Sequence, residues 1–489
     1  MNPLKGIVAA AAAIAVTELL SGLFAYRRSP VVGIGEAVID ATPGGIAHAI
    51  IEVVGKADKP LAVTSVVVVI LAFGALLGAF WNSRRVLAIA GVVAFTVAGM
   101  LINANLADSS SGQVVICAFG GVTALVVLHL LNPSAPREHV QGRRAMLRNT
   151  GLVLVGSVVL AGVGRKLGQA RAGVETARKK LVLPLTKMTA PAGADLGLAQ
   201  PWNTPVGDFY RIDTSLTPPL IPPDEWSLKI HGMVDREMTI TYQQLIDRGL
   251  KDAWVTLCCV SNGVGGDLIG NGIWSGVPMK DLLEEVGIQA GADALLSTSQ
   301  DGWTCGTPLD VLLDGRDALL AVAQDGQPLT VEHGFPVRQV VPGLYGYVSA
   351  TKWVVDWEIT RFADFHAYWT DRGWSEKGPV KTQSRIDVPR GKVAKGAVKV
   401  AGVAWAQHRG IEKVEVRFDQ TTWQVATLAA VPSADTWVQW VVDWDAEPGD
   451  HVIEVRATDK DGMTQSGKKV GTIPNGAEGW DFRIVTVTG

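Results

Sequence analysis

Cysteine is scarce, with 4 in 489 residues, which excludes a small scaffold held by disulfides. Charge is also scarce, at 19% of residues, and neither sign prevails. The 44 Lys and Arg face 47 Asp and Glu, a net charge of −3, and the pI is near 6.3. That balance excludes a nucleic-acid binder selected for basicity. Tryptophan is almost missing from the first 200 residues, where only Trp81 of the 16 occurs, and the first 131 residues hold only 13 Asp, Glu, Lys or Arg. What is present instead is apolar: 48% of residues are hydrophobic and mean hydropathy is +0.22. That excludes a disordered chain, and the length predicts two or three folded units. Two solvents have shaped the two halves.

The first half reads as membrane. Residues 61–80 form an uncharged apolar run of the roughly 20 residues needed to cross a hydrocarbon core about 30 Å thick. Residues 86–106 and 113–131 read the same way, and 6–26 make a first span interrupted by Glu18. A carboxylate there is either a satisfied structural acid or a site. The stretch 31–56, with Glu36, Asp40, Pro43, His48 and Glu52, reads as a surface loop with a short amphipathic piece. With Lys5 inside, Arg84 and Arg85 fall inside and Asp108 outside. The loop with Arg137, Arg143, Arg144 and Arg148 is then inside again, in agreement with the positive-inside rule.

Residues 142–168, GRRAMLRNTGLVLVGSVVLAGVGRKLG, place paired arginines before a modest apolar run. This resembles a twin-arginine translocation signal inside the chain; the alternative is a short fifth span anchored by Arg143 and Arg144. Both export the C-terminal region, although Arg165, Lys166 and Arg171 would then lie outside, against the charge rule. The expected organisation is a transmembrane module of about five spans over 1–168 and a linker over 169–199.

From about residue 190 the chain turns to Pro, Asp and Trp, with alternating runs such as 226–234 that predict strands. Residues 280–288, KDLLEEVGI, predict one amphipathic helix. After Pro389 the runs 398–406, 413–419, 437–446 and 451–459 are almost wholly strand and turn, the pattern of an Ig-like sandwich. The fold class expected is an α-helical transmembrane bundle, an α+β domain over 200–388 and an all-β Ig-like domain over 389–489.

Cys117 lies in an apolar span and reads as a packed small hydrophobe. Cys258 and Cys259 are adjacent and precede a glycine-rich stretch, LCCVSNGVGGDLIGNGIW. No C-x-x-C or histidine cluster supports zinc. A thiolate at a strand end, beside backbone free to approach a large ligand, either holds a soft metal centre or is a buried thiol. Cys305 is a candidate partner for Cys258. A second cluster, residues 333–353, combines His333, Arg338 and Lys352, whose cations suit a phosphate or a polar heterocycle edge. A third, DFYRIDTSLTPP, sets Arg211 after two aromatics.

Taken together, residues 200–485 resemble the sulfite oxidase-like molybdopterin oxidoreductases with their dimerisation domain. The step Cys259 to Asn262 resembles that family's cysteine loop, and Trp274 and Gly276 resemble its continuation. The resemblance implies a molybdenum–molybdopterin cofactor, with Cys259 as thiolate ligand and Asn262, His333, Arg338, Thr351 and Lys352 around it. Arg211 is implied both as cofactor contact and as the group that attracts an anionic substrate. Two departures argue against sulfite. Gly263 and Val264 follow Asn262 where sulfite oxidases carry an arginine, and Trp374 stands at the place of an active-site tyrosine.

The resemblance implies two-electron oxygen-atom transfer on a small oxyanion or sulfoxide-like substrate, as in sulfite dehydrogenases or methionine sulfoxide reductases. A non-catalytic surface protein retaining the fold is the alternative. Only His129 lies clearly within a span, so a paired-histidine haem is not expected. A separate electron carrier, quinone or cytochrome, is expected instead, together with a homodimer through the C-terminal domain. The expected place is the cell membrane, with the catalytic domain on the extracytoplasmic face.

Overall fold

The computed structural model describes residues 3–24, 28–46, 50, 58–107, 109–132, 169–185, 188–198 and 200–489. The twin-arginine motif at Arg143 and Arg144, with the fifth span, lies outside the described residues. The chain divides into two compact units: Met1–Ala177 with Thr214–Leu220 and Gln300–Gly302, and Arg178–Asp213 with Ile221–Ser299 and Trp303–Gly489.

Among the described residues of the first unit, four helices are long and apolar enough to cross a membrane: Pro3–Leu23, Lys59–Phe80, Arg85–Ala104 and Ser111–Leu131. The first is the most enclosed of the four. Its small residues allow this: a Cβ on Gly6 would lie 1.8 Å from the Gly74 carbonyl oxygen, so the two backbones touch as small-residue interfaces in membranes do. Glu18 is buried and accepts a hydrogen bond from Ser29 Oγ.

One expectation needs correction here. Residues expected on the surface instead supply a helix, Pro30–Ala41, capped by the Ser29 hydroxyl, with Val31, Gly33, Gly35 and Glu36 buried. Glu36 is tolerated there because it pairs with the equally buried Arg28.

Among the described residues the second unit holds four sheets. In one, β2 (Met238–Thr241), β1 (Ser227–Gly232), β10 (Val354–Thr360), β5 (Ala294–Ser299) and β6 (Thr304–Pro308) lie in that order. In the next, β3 (Lys251–Cys258), β4 (Ile269–Pro278), β7 (Leu319–Gln324) and β8 (Gln327–Pro328) follow one another, with β9 (Arg338–Val340) also on β7. The helix expected over 280–288 is Met279–Val286. Its buried Met279, Leu282, Leu283 and Val286 show the 3, 4 spacing of a core-facing stripe.

The C-terminal β-rich region consists of two sheets. One is β11 (Gln383–Val388), β13 (Gly396–Trp405), β17 (Val438–Ala446) and β16 (Thr427–Leu428). The other is β12 (Lys392–Ala394), β19 (Asp481–Thr488), β18 (Gly449–Asp459), β14 (Ile411–Phe418) and β15 (Gln424–Val425). They share one core, in which Val400, Ala404 and Trp440 meet Val416, Ile453 and Val485.

The boundary expected at 388 falls too late. Strand β11 pairs antiparallel with β13 from Gln383↔Trp405 onward, so pairing assigns 383–388 to the C-terminal sheets. The expected linker is also packed from its middle. Ala194 is fully buried, and Leu196 N donates to Gln439 Oε1 at 2.7 Å. The tryptophan asymmetry has its reason here too. Trp202 and Trp437 are fully buried, and each indole donates to the other's backbone carbonyl, at 3.3 and 2.8 Å. Their bulk fills the core while their N–H groups stay satisfied.

Candidate active site around Cys259

Strand β3 is buried from Ala253 to Cys258 and delivers Cys259 to a tight loop. Cys259 N donates to Leu268 O at 2.9 Å, and Asn262 N donates to Cys259 O at 3.0 Å. Asn262 spends its side-chain oxygen inside this loop, accepting from Leu268 N at 2.9 Å. Gly265 turns the chain at φ +72°, where a Cβ would strike Asp481 Oδ1 at 2.3 Å. Burial pushes the Cys259 thiol pKa up, while hydrogen bonds from Ser261 and the charge of Lys352 oppose that shift. All four cysteines are free, so the Cys258–Cys305 pairing considered from the sequence is not formed.

The basic cluster assembles on a second framework. The Thr330 hydroxyl caps a short turn at His333 N (3.3 Å) and lies 2.9 Å from His333 Nδ1. This orients the ring and leaves His333 Nε2 buried, with no hydrogen-bond partner in strict geometry among the described residues. Arg338 is buried, donates from Nη1 to His333 O at 3.3 Å and stacks 5.1 Å over the Trp274 ring. Gly334 lets this happen: at φ +106° a Cβ there would sit 3.0 Å from Arg338 Cβ and 3.2 Å from Lys352 Cα. Lys352 Nζ donates to Glu332 O at 3.1 Å and to Asp213 Oδ2 at 3.2 Å. Thr351 is fully buried, its hydroxyl 2.6 Å from that of Ser297.

Burial lowers the Lys352 pKa to about 8 against the support of Asp213, and lowers His333 to about 4, helped by Lys352 and Arg338. The His333 shift has a consequence. The folded protein refuses a proton that the unfolded chain takes up below about 6.5. Stability is therefore intact above pH 6.5 and declines as pH falls toward 4, by roughly 3 kcal/mol in all. Urea unfolding of cofactor-free protein across that range is expected to show this slope, and His333→Gln to flatten it.

Arg211 sits apart from the buried cations. Its side chain is 40% exposed, and Nε lies 2.9 Å from Asp213 Oδ2. Asp213 therefore joins Arg211 to Lys352, a role the sequence reading missed although it stands two residues after Arg211. Phe209 packs edge-on to both Trp274 (5.4 Å) and His333 (6.0 Å). Tyr210 is half-buried where both vicinal thiols and Arg338 act on it. Trp374 is buried against Tyr347, with ring centroids 5.8 Å apart.

Among the described residues, no three His, Cys, Asp or Glu side chains gather as a metal cage. The surroundings fit a large anionic heterocycle: two buried cations, an orphaned imidazole nitrogen and one thiol on a glycine-rich loop.

Residues 215–369 match the oxidoreductase molybdopterin binding domain. YuiH, an uncharacterised oxidoreductase of Bacillus subtilis, is 32% identical over 154 residues, covering 32% of this chain and 74% of that protein. The mitochondrial sulfite oxidase of Drosophila melanogaster is 27% identical over 343 residues, 58% of this chain and 59% of that protein. An inducible NADH nitrate reductase of Glycine max is 25% identical over 337 residues, 55% of this chain and 38% of its own length. The chain thus spans little more than half of the fly enzyme and less of the plant one. The fold is shared with the sulfane dehydrogenase SoxCD of Paracoccus pantotrophus, with a TM-score of 0.52, 21% identity, and coverage of 65% of this chain and 92% of that one. The cysteine loop, the buried cations and these relatives converge: the chain belongs to the sulfite oxidase-like molybdopterin oxidoreductases, and its cofactor is molybdenum–molybdopterin.

Proposed function

We propose that this protein is a membrane-anchored oxidoreductase that moves an oxygen atom to or from a small sulfoxide-like or oxyanionic substrate. The observation that carries the reading is the buried Cys259 thiol, on whose loop the charge of Lys352 acts, within one framework of His333, Arg338 and Lys352. When bound, the cofactor supplies a two-electron centre that accepts or gives up oxygen. Cys259 supplies its thiolate; Lys352 and Arg338 offer fixed charge to the anionic end, and His333 Nε2 offers a hydrogen bond. Asn262 acts by holding the cysteine loop shut, and Thr351 by its packed place beside Lys352.

The four apolar helices among the described residues support membrane anchoring; an extracytoplasmic catalytic unit rests on the export signal read at Arg143 and Arg144, against the basic residues that follow it. A twin-arginine route would carry the folded, loaded protein there. The two sheets with a shared core support an Ig-like sandwich, through which two copies would pair. Electrons pass to or from a separate carrier, a quinone or a cytochrome.

Substrate charge is the open variable that Arg211 addresses. It stands half-exposed at the edge of the cluster, already neutralised in part by Asp213, and Gly263 leaves no second cation beside Asn262. Arg211→Gln is expected to raise KM about tenfold for an anionic substrate, the worth of one charged hydrogen bond. The same change is expected to leave KM for a neutral sulfoxide untouched. Steady-state kinetics on dimethyl sulfoxide, methionine sulfoxide and sulfite decide which class is used; failure to turn over any oxygen donor or acceptor by molybdenum-loaded protein would defeat the reading.

A further inference from the structure

The cysteine loop is held from both sides by the C-terminal β-rich region. On the incoming side, Thr256 of β3 is tied three times. Its N–H donates to Asp435 O at 2.9 Å, its hydroxyl accepts from Trp437 N at 2.7 Å, and its carbonyl accepts from Gln407 Nε2 at 3.1 Å. On the returning side, Arg385 of β11 donates from Nη1 to Gly266 O at 2.8 Å. Arg385 is itself fixed. Its Nε is 2.8 Å from Asp387 Oδ1, with side-chain exposures of 6% and 2%, and its guanidinium lies 6.0 Å from the Trp437 ring. Asp481 completes the clamp. Its Oδ2 accepts from Ile386 N at 2.8 Å, while Oδ1 occupies the place a Cβ on Gly265 would take.

A buried arginine donating to a backbone carbonyl is an expensive way to close a turn, because the guanidinium must be desolvated and paired with Asp387. A turn whose only duty was to connect β3 to β4 has no need of it. The loop contains Cys259, and its geometry decides where that sulfur points. We propose that Arg385, with Asp387 and Asp481, is a positioning device: the C-terminal region fixes the Cys259–Gly266 turn so that the Cys259 sulfur meets the metal at one set angle. The C-terminal sheets are thus a working part of the active site as well as a surface for pairing. This rests on Cys259 being the metal ligand.

The test is the double variant Arg385→Gln with Asp387→Asn in the full chain, which swaps the ion pair for a neutral pair of similar shape. In cofactor-free protein, alkylation of Cys259 by iodoacetamide is expected to quicken about tenfold or more on loss of a charged hydrogen bond, while Cys305, fully buried elsewhere, keeps its rate. In loaded protein, molybdenum content and melting temperature are expected to hold while the g-values of the Mo(V) paramagnetic signal shift. Arg385→Lys, which keeps a donor, is expected to recover part of the parent signal. Equal acceleration at Cys305, or none at Cys259, overturns the clamp. A Cys259→Ser control separates the two readings: if its Mo(V) signal matches the parent, the ligand assignment has failed, and the alkylation result still judges the clamp.

Discussion

Cys259→Ser is expected to lower turnover by about a thousandfold or more, a loss of about 4 kcal/mol of transition-state stabilisation, without unfolding the protein. Serine fills nearly the same volume in a buried loop whose backbone bonds, Cys259 N to Leu268 O and Asn262 N to Cys259 O, do not involve the side chain. What changes is the donor: a hard hydroxyl, far less acidic than a thiol, replaces a soft sulfur. Activity, molybdenum content and the Mo(V) signal of the purified variant check this. Cys258→Ser is the matched control. Cys258 Sγ lies 3.5 Å from Cys259 O within the buried core, and the proposed chemistry gives it no role toward the metal. Its loss is expected to cost stability and leave most of the turnover. Equal loss from both variants would mean that the pair acts as packing.

Lys352→Met has the second large effect, and it falls on two observables. Asp213 is left in a buried place, with 6% of its side chain exposed, and breaking such a pair from one side costs about 3–5 kcal/mol. Arg211 remains on Asp213 at 2.9 Å, which keeps the cost toward the lower figure. Adding Asp213→Asn removes a buried charge that has lost one of its two cations and is expected to return most of the stability. It is not expected to return the cofactor, because the cation facing the anionic end is still absent. Chemical denaturation reads the first and metal analysis the second; recovery of molybdenum in the double variant would remove Lys352 from the binding set.

Much of this architecture is legible in the residues alone. Runs of uncharged residues near 20 in length mark the helices long and apolar enough to cross a membrane, since the hydrocarbon core sets that length whatever the tertiary packing. Period-two alternation marks the C-terminal strands, and the apolar stripe marks Met279–Val286. Cys259, His333, Arg338 and Lys352 stand out through residue type, motif order and spacing. The helix at Pro30–Ala41 is hidden because Glu36 reads as polar surface until its partner Arg28 is known. The start of the C-terminal sheets is misplaced for a similar reason: Gln383–Val388 belongs to them through pairing with Gly396–Trp405, and pairing is non-local.

Local pattern and hydropathy by themselves determined the division into an apolar half and a tryptophan-rich half and the element types, while the residues proposed to hold an anionic, metal-bearing group were singled out by the family resemblance. They could do so because solvent and side-chain chemistry act on each residue where it stands. Only the tertiary structure decided how those residues are held. It is the fold that puts Asp213 between Arg211 and Lys352, buries His333 Nε2 with no hydrogen-bond partner among the described residues and sets Arg385 against Gly266 across a separation of 119 residues. Such contacts depend on chain closure over long distances, and no local pattern encodes which distant partner will arrive.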